Sequence, residues 1–65
     1  MNIKLNGDVR EVRAANLADA LIELGFADSV VATALNGEFV GAAQRAATVL
    51  NDGDQIEVLA PMQGG

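Results

Sequence analysis

The chain has 65 residues, a mass of 6.7 kDa, a formal net charge of −5 and a pI near 4.2. Apolar residues are 51% of it, but twelve are Ala and the aromatics are Phe26 and Phe39 alone, so it can build only one small core. With neither Cys nor His it has no disulfide, thiol nucleophile, imidazole acid–base group or thiolate–imidazole metal site, which excludes most enzyme chemistry.

The charge narrows the partners further. Lys4, Arg10, Arg13 and Arg45 are scattered and outnumbered by carboxylates, so nucleic acid and anionic membrane are not expected partners. A basic protein surface suits this chain better, although acidic charge also serves simply to keep a small protein soluble. The N-terminal residues form no signal-peptide stretch, and no apolar run reaches membrane-spanning length, so a soluble, cytoplasmic protein is expected.

In chain order, Met1, Ile3 and Leu5 alternate with Asn2, Lys4 and Asn6, the period of a half-buried strand. Asn6-Gly7-Asp8 supplies the positive φ of a tight hairpin, and residues 9–13 return as a second strand with Val12 inward. Asn16 is a good helix N-cap, with Asp19 resembling a capping-box partner three residues on. Leu17, Ala20, Leu21 and Leu24 then form one apolar stripe, and Gly25 suits the C′ position. Asp19 and Glu23 lie on the other side. A paired catalytic site there is conceivable, but nothing completes it, and a solvated helix face is the expected reading.

Residues 30–35 are apolar apart from Thr33 and rich in β-branched side chains, as in a third strand. Asn36-Gly37 is a second hairpin signal, followed by a short return strand at Glu38-Phe39-Val40. Residues 41–47 are small and non-alternating, and are read as a connection carrying a turn or two of helix. Asp52-Gly53-Asp54 lacks the ligand number and terminal Glu of a calcium loop and reads as a turn. The dispersed glycines form no phosphate-binding motif. In residues 55–60, Ile56 and Val58 face one way and Glu57 and Leu59 the other, until Pro61 ends the strand.

The order β-β-α-β-β-β implies an α+β fold. One helix crosses one face of a mixed sheet whose terminal strands run parallel at its centre, the arrangement of a β-grasp. Residues 1–60 are expected to form the globular body and residues 61–65, Pro61-Met62-Gln63-Gly64-Gly65, a flexible tail. A Gly-Gly end taken alone is weak, since terminal glycines often fray. On a β-grasp body it gains meaning. Glycine lets a carboxylate enter a narrow partner site with protein groups close on both sides. Pro61 stiffens the exit from the sheet, and Met62 is an adaptable apolar handle.

The chain as a whole resembles the ThiS family, the sulfur carriers of thiamine thiazole synthesis, which share the ubiquitin-like β-grasp fold. The residues that carry the resemblance are Met1-x-Ile3-x-x-Asn6-Gly7, Ala34-Leu35-Asn36-Gly37-Glu38-x-Val40, Val49-Leu50-x-Asp52-Gly53-Asp54-x-Ile56-Glu57 and Pro61-Met62-Gln63-Gly64-Gly65. It departs in the middle connection. Many relatives have Pro-Arg where Gly41-Ala42 stands, and a Trp common there is replaced by Arg45.

The resemblance implies a carrier protein and not an enzyme. Gly65 would carry the sulfur as a thiocarboxylate, and Gly64, Gln63, Met62 and Pro61 would deliver it. The implied partners are an adenylating, E1-like enzyme of the ThiF type, a ThiG-type thiazole synthase and a sulfur donor system. The chain itself would bind no cofactor, the ATP and magnesium belonging to the activating partner. Phe39 and Leu59 are candidate docking residues, with core or edge positions the alternative. Rival readings are a small subunit of molybdopterin synthase (MoaD-like), a ubiquitin-like protein modifier and a β-grasp interaction module whose tail does no chemistry.

Overall fold

The computed structural model describes residues 1–60; the expectations attached to Pro61, Met62, Gln63, Gly64 and Gly65 lie outside the described residues. The elements are β1 (Asn2–Leu5), β2 (Asp8–Glu11), α1 (Leu17–Glu23), β3 (Ala32–Leu35), β4 (Glu38–Val40), a 3-10 helix at Ala42–Ala47 and β5 (Gln55–Leu59).

Two Asn-Gly pairs close the hairpins. Asn6 and Gly7 have φ of 49° and 91°, and Asn36 and Gly37 have 51° and 87°, the left-handed pair that a two-residue type I′ turn demands. The resulting strands form one sheet in the order β2-β1-β5-β3-β4. β1 and β5 pair in parallel, with Leu5 opposite Ile56, whereas β3 is antiparallel to both β5 and β4. This is the β-grasp, with the terminal strands adjacent in mid-sheet.

The helix is short but well ended. Asn16 Oδ1 accepts from the Asp19 amide at 2.8 Å. The Asp19 carboxylate takes the Asn16 side-chain amide at 3.1 Å instead of the backbone N–H that a capping box would use. At the other end Gly25 has φ 98°, with Phe26 N–H to Leu21 C=O and Gly25 N–H to Ile22 C=O, a Schellman motif. Leu17, Ala20 and Leu21 are buried against Ile3, Leu5, Val12, Leu50, Ile56 and Val58, while Leu24 and Phe26 pack at the margin.

Several strand limits are shorter than the sequence implies. β2 ends at Glu11, but its pairing runs one rung further: Val12 N–H donates to Met1 C=O at 2.9 Å and the Met1 amino group donates to Val12 C=O at 2.9 Å, and Val12 is buried. β3 starts at Ala32, not at residue 30, and Val30 is 81% exposed. β5 ends at Leu59, one residue before Ala60. Glu23 differs from a merely solvated helix residue. Its carboxylate accepts the Arg13 amide at 2.9–3.0 Å and the Ala14 amide at 3.1 Å, fixing the approach of the chain to α1.

Thr33, the polar residue in β3, is buried. Its hydroxyl donates to Val40 C=O at 2.7 Å and accepts from Arg45 Nε at 3.0 Å, while Arg45 Nη2 donates to Val31 C=O at 2.6 Å. Arg45 thus ties the 3-10 helix to the start of β3, beyond the reach of the short β4. Thr33→Val keeps the volume but strips partners from Val40 and Arg45, so a loss of about 1–2 kcal/mol is expected, read as a lower urea midpoint at unchanged slope. Arg45→Met should lose a similar amount, and the double variant less than the sum. Additive losses would show that the two groups act independently.

Candidate functional site

Alternation along the strands sends Ile3, Leu5, Thr33, Ile56 and Val58 toward α1, which leaves the opposite face open. The register then decides what gathers there. Ala34 stands opposite both Phe39 and Glu57, and Ala32 opposite Leu59. Phe39 and Leu59 are 76% and 67% exposed, so neither is a core residue. They line one groove together with Ala32, Thr33, Ala34 and Glu57. An adjoining groove is lined by Val30, Val31, Ala32, Leu59 and Ala60. The two share Ala32 and Leu59, and Glu57 is the charged side chain among their lining residues. Three large apolar side chains lie open on this part of the surface, an arrangement typical of a protein-binding site.

β5 carries the site to the point where residues 61–65 begin. It is gripped on its β1 side by an asparagine. Asn6 Oδ1 accepts the Val58 amide at 2.9 Å and Asn6 Nδ2 donates to Val58 C=O at 3.1 Å, adding a rung to the parallel ladder just after β1 ends. Asn36 does the same kind of work at the start of β5, accepting the Gln55 amide at 2.9 Å and donating to Asp54 Oδ1 at 3.0 Å.

The sequence brings Phe39 and Leu59 forward as separate candidates, and the structure puts them in one groove. Val30 and the Asn6 grip are not apparent from sequence. The signal for Asn6 was present, since an Asn in a left-handed turn position also carries an amide able to mimic a strand edge.

The remaining carboxylate candidates hold the fold. Asp52 Oδ1 accepts the Asn2 amide at 2.7 Å, and Asp54 Oδ2 accepts the Asn51 amide at 2.8 Å. Asp19 and Glu23 are engaged at the two approaches to α1 described above. Among the described residues no group of three or more acidic side chains converges as a metal site would require.

Comparison with known proteins gives this geometry a family. The ThiS family model matches residues 3–65. The chain belongs to the ThiS family. The sulfur carrier protein ThiS of Thermus thermophilus is 39% identical over 61 residues, covering 94% of this chain and 95% of that protein. A thiazole synthase of Paramagnetospirillum magneticum is 36% identical over 66 residues; all of this chain is matched, but it spans only 20% of that protein. The crystal structure of the thiamine biosynthesis protein ThiS of Geobacter metallireducens superposes with a TM-score of 0.83 at 36% identity, each chain fully covered. A solution structure of a thiamine biosynthesis protein from the same organism gives 0.77 at 36% identity, covering all of this chain and 88% of that one.

Proposed function

We propose that this chain is a sulfur carrier for thiazole formation in thiamine biosynthesis, acting as a co-substrate of partner enzymes. The observation that carries the reading is a family match that runs through the β-grasp body to Gly65. The chemistry follows from what a carboxylate lacks. Its charge repels nucleophiles and it has no good leaving group. Adenylation of Gly65 by an E1-like, ThiF-type partner, which holds ATP and magnesium, removes the charge and releases pyrophosphate. Sulfide then displaces AMP and leaves the thiocarboxylate. If the donor is a persulfide, the acyl disulfide formed is cleaved by a second thiol, which is oxidised as the thiocarboxylate departs.

The thiocarboxylate is a soft nucleophile suited to giving its sulfur to a ThiG-type thiazole synthase. Thiazole synthesis is favoured over a molybdopterin role by the thiazole synthase that contains a segment similar to this whole chain. Gly64, Gln63, Met62 and Pro61 carry Gly65 into the partner sites. Ordering them costs roughly 1–2 kcal/mol per residue, so the body must contribute binding energy. Phe39 and Leu59 supply it through the apolar face, with Glu57 in their groove selecting a cationic group opposite. The reaction belongs in the cytoplasm, beside the ATP that it consumes.

Intact-protein mass spectrometry tests the reading. The full chain is incubated with ATP, magnesium, a ThiF-type enzyme and sulfide. A mass gain equal to exchange of one oxygen for sulfur is expected, and a variant without Gly65 should show none. An unchanged mass beside an enzyme preparation that is active on its own carrier would leave the interaction module as the better reading.

A further inference from the structure

We infer that Asn6 is a positioning residue, fixing the end of β5 that precedes residues 61–65. This rests on the carrier reading. β1 and β5 pair only as far as Leu5 and Ile56, whereas β3 accompanies β5 to Leu59. Without another partner, the last part of β5 would be held along one edge alone. The Asn6 carboxamide supplies the second edge, donating to and accepting from the backbone of Val58, three residues before Pro61.

The backbone conformation of Asn6 supports a specific use of that amide. Its φ of 49° is readily adopted by Gly and Asp as well, so the turn does not by itself demand Asn. Glycine offers neither bond, and an ionised Asp accepts but cannot donate. Only Asn combines the left-handed turn with both halves of a strand-like pair. A carrier whose five terminal residues must reach a partner's reacting centre from a docked body gains from such a grip. Loosening the end of β5 spreads the positions from which residues 61–65 must reach a partner, which lowers the effective concentration of the Gly65 carboxylate there.

Asn36 provides a matched control. It grips β5 with the same kind of side chain but at Gln55, far from the tail. The experiment compares Asn6→Ala, Asn6→Asp and Asn36→Ala with the natural chain, at a temperature where circular dichroism shows each folded. Steady-state thiocarboxylate formation by the activating enzyme gives kcat and KM, and amide hydrogen exchange reads Val58.

Asn6→Ala is expected to lower kcat about three- to tenfold with KM nearly unchanged, because docking is intact while tail placement is not. Val58 exchange should quicken. Asn6→Asp should fall between the two, and it serves in place of Asn6→Ala if that variant fails to fold. Asn36→Ala should leave kcat within about twofold even where its loss of stability is comparable. Equal kcat for the Asn6 and Asn36 variants would overturn the positioning role and leave Asn6 a structural residue. Failure of the natural chain to form any thiocarboxylate would overturn the carrier reading itself, a result distinct from that equality.

Discussion

Leu17→Ala is expected to leave the chain barely folded. Leu17 is fully buried, at the first turn of α1, where it lies among the side chains from β1 and β5 that form the core. Truncation removes its transfer free energy and leaves a cavity, together about 3–4 kcal/mol. A domain of this length has a total stability of roughly 3–10 kcal/mol, and this chain has no disulfide or thiolate metal site to supplement it. The midpoint of thermal unfolding should therefore drop by more than about 12 °C, followed by far-ultraviolet circular dichroism. Leu17→Met, which nearly conserves volume, should lose less than about 1.5 kcal/mol. Phe39→Ala should stay within about 0.5 kcal/mol, because that larger ring is on the surface. The contrast has functional content. If Phe39→Ala destabilised as much as Leu17→Ala, the open face would be a structural element and not a docking surface.

The same division between core and open face explains what was legible in the sequence. Alternation at Ile3 and Leu5 and at Ile56 and Val58, the Asn-Gly pairs, and the Asn16-to-Gly25 helix are local signals written within a few residues. Each specifies its own element, and their order fixes the β-grasp. What sequence did not disclose are the long-range uses of polar side chains. Glu23 binds amides nine and ten residues earlier, Asn6 binds a strand 52 residues later, and Arg45 reaches back to Val31 and Thr33. A periodicity argument treats such residues as solvated because their partners are distant in the chain.

Val30 illustrates the opposite error. Its β-branched side chain suits a strand, but β3 pairs with β4 only through Thr33–Val40 and with β5 only through Ala32–Leu59, so Val30 lies beyond both ladders. The candidate site divides in the same way. Phe39 and Leu59 could be singled out as apolar residues at short or terminal strands, but their shared groove depends on a register across three strands. Arg45, in the connection for which the sequence offers only a turn or two of helix, has a local role in holding Thr33 and Val31. The middle connection is therefore anchored to residues that themselves line the two grooves of the open face, Val31 in one and Thr33 in the other.

Adding a single Gly after Gly65 is expected to abolish thiocarboxylate formation, a larger change than any surface substitution in the body would cause. One extended residue moves the reacting carboxylate by about 3.5 Å. Adenylation needs near-contact geometry, where a misplacement of about 1 Å lowers the rate by about a hundredfold, so the loss should exceed that factor. The body is untouched, and its apolar face should still dock. The lengthened chain should consequently act as a competitive inhibitor of the activating enzyme, with an inhibition constant close to the KM of the natural chain. Adding Phe39→Ala to it should weaken that inhibition, which separates docking from delivery in one series of proteins. The three readings predict different outcomes. A pure interaction module would show no dependence on tail length, and a carrier that relied on its tail alone would lose inhibition along with turnover. A carrier that docks through its sheet and reacts through Gly65 should lose turnover and keep inhibition.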